Sequence, residues 1–537
     1  MIRGPLARGV LLAALVTLFL IPAVVKIPFF LPSDDSAAEH VYEIDDGYIA
    51  ISGKAVHHDL YAASSNGGHG SGSGGGVGGR IAQHGKPAAV KQQALTPLRP
   101  SEGGLHDQLL LTRFVAHAPG FSVIENLYYH NGTFLVVTDE PWAVPELKYL
   151  GVMNHQNAGE QIGSSFKILA VRGPPIGRMQ AHKKDVESIS VANASLLTAT
   201  SLELGAPMLL NNDHQFISHY YHFIGETFLG AWRIWNNYAW ARGLSSLPDF
   251  KVIAFPKVFN VEETKVDHSK EGWEDHAGAN RFFMETWFPK ARIETAVDWH
   301  HRRDSDEVYR MPLVVISDRR GGHEGPSASF KPWGDVLRMP VQDNWLENLR
   351  DRVLKGYTGP VSLQHPDKPR LVYLSRQDTG RRLDDDQHKN LVIALEDLHD
   401  EGVIDFTLLQ FVDGTPFPDQ LAEFSKTDFV IAVHGNGLTH SLWMSPGQGR
   451  AVFEIQPHDC SVNDYSPLAL AAGVQHFLVH ETKDMCTPLE CPTRGCQESE
   501  GPTRDDMRVD PALIIDKVRE LVAKHYRNGR MIPDLDM

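Results

Sequence analysis

Phe429-Val430-Ile431-Ala432-Val433 is an unbroken apolar run of strand formers, and it ends abruptly in His434-Gly435-Asn436-Gly437-Leu438-Thr439. A strand that is apolar on both faces must be covered on both, so it belongs inside a parallel sheet flanked by helices. Its neighbours fit that setting. Residues 370–375, 406–411, 451–455 and 475–479 read as strands, while 391–399, 418–425, 439–444 and 467–472 read as the helices between them. A last helix over 511–525 closes this unit or crosses back to another. The fold class predicted for this half is α/β with a doubly wound sheet.

The upstream half alternates less regularly. Residues 121–127 and 133–138 flank His130-Asn131-Gly132 and predict a hairpin. Residues 219–238 carry apolar side chains at helical spacing, and strands near 251–255 and 313–317 alternate with helices near 281–287 and 345–354. A chain of 537 residues has room for two such units. The expected division is 106–355 for the first lobe and 356–537 for the second.

The N-terminus bears on compartment. Arg3 and Arg8 precede an uncharged run over 9–25, and Asp34-Asp35 follow. Such a run rises about 25 Å as a helix, enough for a thin bilayer if Lys26 snorkels. The flanking charges orient the body away from the cytosol. Residues 1–31 are therefore expected to be a cytosolic tip and signal anchor, with a cleaved signal peptide as the competing reading. Residues 32–105 read as a stem, since nine of the thirteen residues 67–79 are glycine. His57, His58 and His69 fall in this solvated stretch. Asn131-Gly132-Thr133 and Asn193-Ala194-Ser195 are N-glycosylation sequons. Cys460, Cys486, Cys491 and Cys496 suggest two disulfides of open connectivity, with a zinc site as the rival. The net charge of −16 disfavours a nucleic-acid partner.

Ligands in open α/β sheets sit beyond the carboxyl ends of strands. Three such ends carry suitable chemistry. Ser375-Arg376 with Arg381 and Arg382 can clamp a diphosphate or form a solvated basic turn. The loop from His434 to Thr439 can offer amides and an imidazole to phosphate, with Gly435 and Gly437 permitting close approach and Thr439 capping the next helix. Glu454 is a carboxylate inside an apolar strand, satisfied by ribose hydroxyls or by a structural partner such as arginine. Asp384-Asp385-Asp386 reads as a helix N-terminal cluster or as a metal-binding set.

Taken in order, the segments around Ser375, the His434-Gly435-Asn436-Gly437-Leu438-Thr439 block, the Glu454 strand and the upstream His222-Phe223-Ile224-Gly225-Glu226 helix resemble glycosyltransferase family 61. The resemblance spans roughly residues 205–480. Asn436, His440 and Gln377 depart from its pattern, which has Ala, Asn and Arg there. It implies a GT-B architecture, two Rossmann-like lobes facing a cleft, and an inverting transfer of xylose, arabinose or N-acetylglucosamine from a UDP-sugar to a glycan or glycoprotein acceptor. It also implies a site without a required metal or cofactor. Ser375, Arg376, Arg381, His434, Gly435, Asn436, Gly437, Thr439 and Glu454 would hold the donor. His222 or Glu226 would supply or orient the base, with Asp213 in reserve; the competing reading is that the two simply bond each other. The chain ends without the retention tail of soluble members, which favours a single-pass type II Golgi or ER membrane enzyme with a lumenal body. A carbohydrate-binding protein that kept the fold and lost catalysis is the alternative.

Overall fold

The computed structural model describes residues 109–537 apart from 152–164, 172–185, 214–215, 267–271, 328–330, 357–367, 380, 412–414, 458–461, 481–483, 489–506, 528–529 and 532–537. The expected anchor and stem, the histidines at 57, 58 and 69, and Cys460, Cys491 and Cys496 lie outside the described residues. Among the described residues no helix is long and apolar enough to cross a membrane. Cys486 is disulfide-bonded.

Two sheets organise the chain, both within one compact unit. The first contains β1 (Arg113–Ala118), β2 (Phe121–His130), β3 (Thr133–Thr138), β4 (Ser165–Ala170), β5 (Val186–Ser188), β6 (Leu202–Glu203), β7 (Met208–Asn211), β8 (Val252–Ala254), β9 (Arg292–Glu294) and β10 (Tyr309–Ser317). Its order is β5-β4-β3-β2-β10-β7-β8-β9, with β1 paired to β2 and β6 to β10. The tract β10-β7-β8-β9 is parallel. Here the structure departs from a doubly wound first lobe, because β2 pairs antiparallel with both β10 and β3. Asn131 at φ 45° and Gly132 at φ 78° explain the departure: two left-handed residues make a hairpin turn, so β3 folds back on β2.

The second sheet contains β11 (Arg370–Leu374), β12 (Asp405–Leu409), β13 (Phe429–Val433), β14 (Ala451–Gln456), β15 (Gln475–His480) and β16 (Asp484–Cys486), in order β12-β11-β13-β14-β15-β16. All neighbours are parallel except β16, which runs antiparallel to β15. This is the doubly wound arrangement expected, with connections diverging between β11 and β13.

The helix anticipated from 219 begins as a π-helix, Tyr221–Phe228, and continues as an α-helix, Leu229–Ala241. The wider turn is supported by Thr227 Oγ1, which donates to the His222 carbonyl at 2.9 Å. Along its apolar face Phe223, Phe228 and Trp232 join Phe283 and Trp287, and the same core takes in Phe417, Leu438 and Trp443 beside the second sheet. The rings of Phe283 and Trp443 lie 6.2 Å apart, those of Phe282 and Phe417 5.6 Å. Each such side chain contributes about 2–3 kcal/mol by burial, so the two sheets are joined by core rather than by a tether. A second core lies on the far side of the second sheet. Leu391, Leu395 and Leu398 pack there with Ile514, Val518 and Leu521 of the helix Pro511–His525, which therefore closes this sheet.

Candidate active site

Each sheet has a point where its connections diverge, and polar side chains gather beyond both. In the first sheet β7 is followed by Asn211-Asn212-Asp213 and β10 by Asp318-Arg319. Asn212 Nδ2 donates to Asp318 Oδ2 at 2.9 Å, and the Gly321 amide donates to Asp318 Oδ1 at 3.0 Å. Burial pushes the Asp318 carboxyl up to about 6, assisted by Asp213 and opposed by Lys257. Arg319 reaches forward from this buried patch. Its Nη1 lies 3.6 Å from Asp213 Oδ2, and its Nε donates to Glu226 Oε2 at 2.6 Å.

The π-helix supplies the other side of that contact. Glu226 is buried, whereas His222 keeps part of its ring exposed, and His222 Nδ1 lies 2.6 Å from Glu226 Oε2. Burial alone would raise the Glu226 carboxyl. The hydrogen bond with His222 and the charges of Arg319 and Lys331 outweigh it and hold the group at about 2. An ionised carboxylate can only accept, so Nδ1 is the donor of this pair, and Nε2 is the ring nitrogen not engaged by Glu226. Arg319 Nη2 also approaches this Nδ1 to 3.0 Å, but a guanidinium can only donate, so with Nδ1 protonated this is a contact rather than a hydrogen bond, and Arg319 bears on the ring through Glu226. The structure thus brings His222 and Glu226 into contact with each other, with the second ring nitrogen on the more exposed member of the pair.

Beyond β11 and β13 the second sheet gathers positive charge. Arg376 Nη1 donates to the His434 carbonyl at 3.1 Å and its Nε to Thr379 Oγ1 at 3.3 Å, with no carboxylate partner among the described residues. Burial and the neighbouring Arg381 both lower its pKa. Arg381 makes no ion pair among the described residues. It is close enough to bear electrostatically on His219, one turn before His222. Gly435 is required by this packing, since a Cβ there would stand 1.3 Å from Arg376 Nη1. A Cβ on Gly437 would strike Leu374.

Some predicted roles shift. His434 is only 3% exposed, with Nδ1 2.5 Å from Glu454 Oε1 and Nε2 3.6 Å from Asp464 Oδ2. Its ring lies under the loop between two carboxylates, and its carbonyl steadies Arg376. Glu454 is fully buried rather than facing a ribose. Its Oε1 accepts from His434 Nδ1 and from Gln456 Nε2 at 2.7 Å, and His476 Nε2 lies 2.9 Å from its Oε2. Burial opposes its ionisation, but the bonds to His434 and His476 hold it at about 2. Thr439 is buried inside the 3-10 helix Asn436–Trp443, so it does not cap that helix. Ser375 is buried at the end of β11, its hydroxyl accepting the Gln377 amide at 3.4 Å. Asp384 caps the helix Asp385–Asp400 by accepting the Asp386 amide, the charge-cluster reading of that triplet.

The two sites meet. Asn436 Oδ1 accepts the Tyr221 backbone N–H at 3.1 Å, Tyr221 Oη donates to the Asp464 carbonyl at 3.2 Å, and Lys331 pairs with Asp464. His440, buried and held neutral at about 3 by burial, lies between Tyr220 and Phe424 with Nε2 3.0 Å from Gln420 Oε1. Of the three departures from the pattern, Asn436 and His440 therefore have partners at the junction, while Gln377 Nε2 donates to the Leu383 carbonyl at 3.0 Å. Sequence reasoning missed Arg319, Lys331, Asp464 and His476. Arg319 had a signal: an apolar strand ending in Asp318-Arg319-Arg320-Gly321-Gly322, built like the strand ends that were singled out.

Residues 220–451 match the family described as Glycosyltransferase 61, a span that holds His222, Glu226, Arg319, Arg376 and the 434–439 loop. The EGF domain-specific O-linked N-acetylglucosamine transferase of Drosophila melanogaster is 31% identical over 134 residues, 24% of this chain and 24% of the relative. The chain thus spans about a quarter of the length of the curated relative it matches.

Proposed function

On the match of residues 220–451 to glycosyltransferase family 61, we propose that this chain transfers a sugar from a UDP-sugar to a hydroxyl of a glycan or glycoprotein, inverting the anomeric centre. The observation that carries the reading is the part-exposed imidazole of His222, its Nδ1 engaged by a Glu226 that Arg319 also holds, beside two arginines without carboxylate partners among the described residues. His222 Nε2 takes the acceptor proton. The acceptor oxygen attacks the anomeric carbon from the face opposite the departing UDP. The bond to the β-phosphate oxygen breaks, and Arg376, Arg381 and the amides that open the helix Asn436–Trp443 stabilise the negative charge left on UDP. Asp213 orients Arg319 rather than the acceptor. Two facing sheets of this kind suit a GT-B transferase, and the two arginines supply positive charge that would otherwise come from a divalent cation. We extend the proposal to a type II anchor over 1–31 and a lumenal body in the Golgi or ER, with glycans on Asn131 and Asn193. Both asparagines are exposed, which fits.

The test is turnover of UDP-xylose, UDP-arabinose and UDP-N-acetylglucosamine by the full chain, with and without EDTA. Release of UDP from one donor, insensitive to EDTA and abolished in H222A, is expected. Failure of every donor to turn over or to protect the protein thermally would instead favour a carbohydrate-binding protein on this fold.

A further inference from the structure

Phe216 is the residue at the cleft that the proposed chemistry leaves unused. It is 63% exposed, and its backbone sits at φ 59°, a left-handed conformation that costs a side chain bearing Cβ about 1–2 kcal/mol. The conformation is imposed from below. Ile217 is buried in the core and its carbonyl accepts Asn280 Nδ2 at 3.1 Å, while the Phe216 carbonyl accepts the His219 amide at 2.9 Å. The strain therefore holds an apolar ring out of the core, where ordinary folding would bury it. One face of the ring is occupied: Arg319 Cζ lies over it at 5.9 Å from the centroid, and the His222 ring centroid is 5.4 Å away. The rest faces solvent beside the base, with Ser218 and His219 exposed next to it.

A backbone outlier beside a reacting group points to function rather than to packing. Resting on the transferase reading, we infer that Phe216 is the acceptor platform, and that the acceptor presents a sugar ring to it. A pyranose has an apolar face of C–H bonds and a rim of hydroxyls. The first matches a flat aromatic face, and the second matches the serine hydroxyl and imidazole beside it. A polypeptide acceptor would call for a groove or a free strand edge, and the exposed element here is one ring on a tight turn. Stacking at Phe216 places a hydroxyl at the rim of that sugar against His222 Nε2.

The experiment is a titration of the full chain, saturated with UDP, by xylotetraose, chitotetraose and mannotetraose, followed by saturation-transfer NMR. Wild type, F216A, F216G and F216W are compared, with UDP affinity and thermal unfolding measured on each. Wild type is expected to bind at least one saccharide, F216A and F216G to weaken it about tenfold, and F216W to keep it. F216G is expected to unfold at the same temperature as wild type or higher, because glycine relieves the left-handed strain; a residue with a merely structural role would lose stability instead. Equal saccharide affinity in all four proteins would overturn the inference while leaving UDP binding and the transferase reading intact. So would binding of a threonine-containing peptide but of no saccharide. Absence of UDP binding in wild type would overturn the transferase reading itself, and this inference with it.

Discussion

Asn436 Oδ1 accepts the Tyr221 backbone N–H at 3.1 Å, so a side chain of the arginine-side loop caps the first turn of the helix that carries His222. The family pattern has alanine at this position, which cannot make that bond. N436A leaves a part-buried amide without its partner and should lower stability by about 1 kcal/mol. Its kcat should fall while the donor KM stays near wild type, since Arg376 and Arg381 are untouched. N436D can still accept from Tyr221 and should recover stability, but its charge beside the donor phosphates should raise donor KM. Thermal unfolding and steady-state kinetics on the two variants separate these effects; equal kinetics in N436A and wild type would mean the cap is only structural.

His222 and Glu226 act as a unit with different failures. H222A removes the proposed base and should lower kcat by roughly 10²–10⁴-fold with UDP affinity little changed, and, because it also removes a partner of the buried Glu226, should cost about 1 kcal/mol of stability. E226Q keeps the shape but removes the charge that faces both His222 and the buried Arg319. It should lose activity and also about 1–3 kcal/mol of stability, as Arg319 is left buried without a full partner. Full transfer activity in correctly folded H222A would refute the assignment.

The architecture was legible where it rests on local pattern. The apolar run 429–433 announced a central parallel strand, and it is flanked by β11 and β14 as a buried strand must be. Asn131-Gly132 announced the hairpin, yet not that its strand would pair with β10 and turn the first sheet mixed. At the site, His222 and Glu226 were readable from their spacing. Arg319 was not tied to them, because 93 residues separate it from Glu226 and only the packing of β10 beside the helix brings them together. Glu454 was recognised as a carboxylate in need of partners, but His434 and His476 come from other strands, and strand order is not written in any one segment. Nor does a hydrophobic period distinguish a π-turn from an α-turn, or reveal the left-handed backbone of Phe216.

Gly435 and Arg376 should behave as one element. A methyl group at 435 would overlap the Arg376 guanidinium, and the overlapped atoms are the far end of a flexible side chain. G435A should therefore displace Arg376 and raise donor KM about tenfold or more, and, since φ at 435 is 159°, it should also cost stability. R376A should do the same by deletion. Since both changes remove the same contact, the double variant should be no worse than R376A alone, a strongly non-additive cycle. Additive losses in donor affinity would show that Gly435 acts on the donor directly.

Acid stability follows from the two buried carboxylates. Glu226 and Glu454 have an ordinary value of 4.5 and are held at about 2 in the folded chain, Glu226 mainly by His222 and Arg319, Glu454 by His434 and His476. A carboxyl whose folded value is depressed contributes stability that is fully present above its unfolded value and is lost as pH falls through the folded one. Each contributes on the order of 3 kcal/mol at neutral pH by this linkage, so unfolding free energy should decline between about pH 4.5 and pH 2. In E454Q the group no longer titrates, and that part of the decline should vanish, at the cost of lower stability at neutral pH where His434 Nδ1 loses a charged acceptor. Denaturant unfolding of wild type and E454Q across this range reads the difference. Parallel acid limbs in the two proteins would mean that Glu454 is not ionised in the native fold, and the chain of contacts from Glu454 through His434 to Arg376 would lose its electrostatic basis.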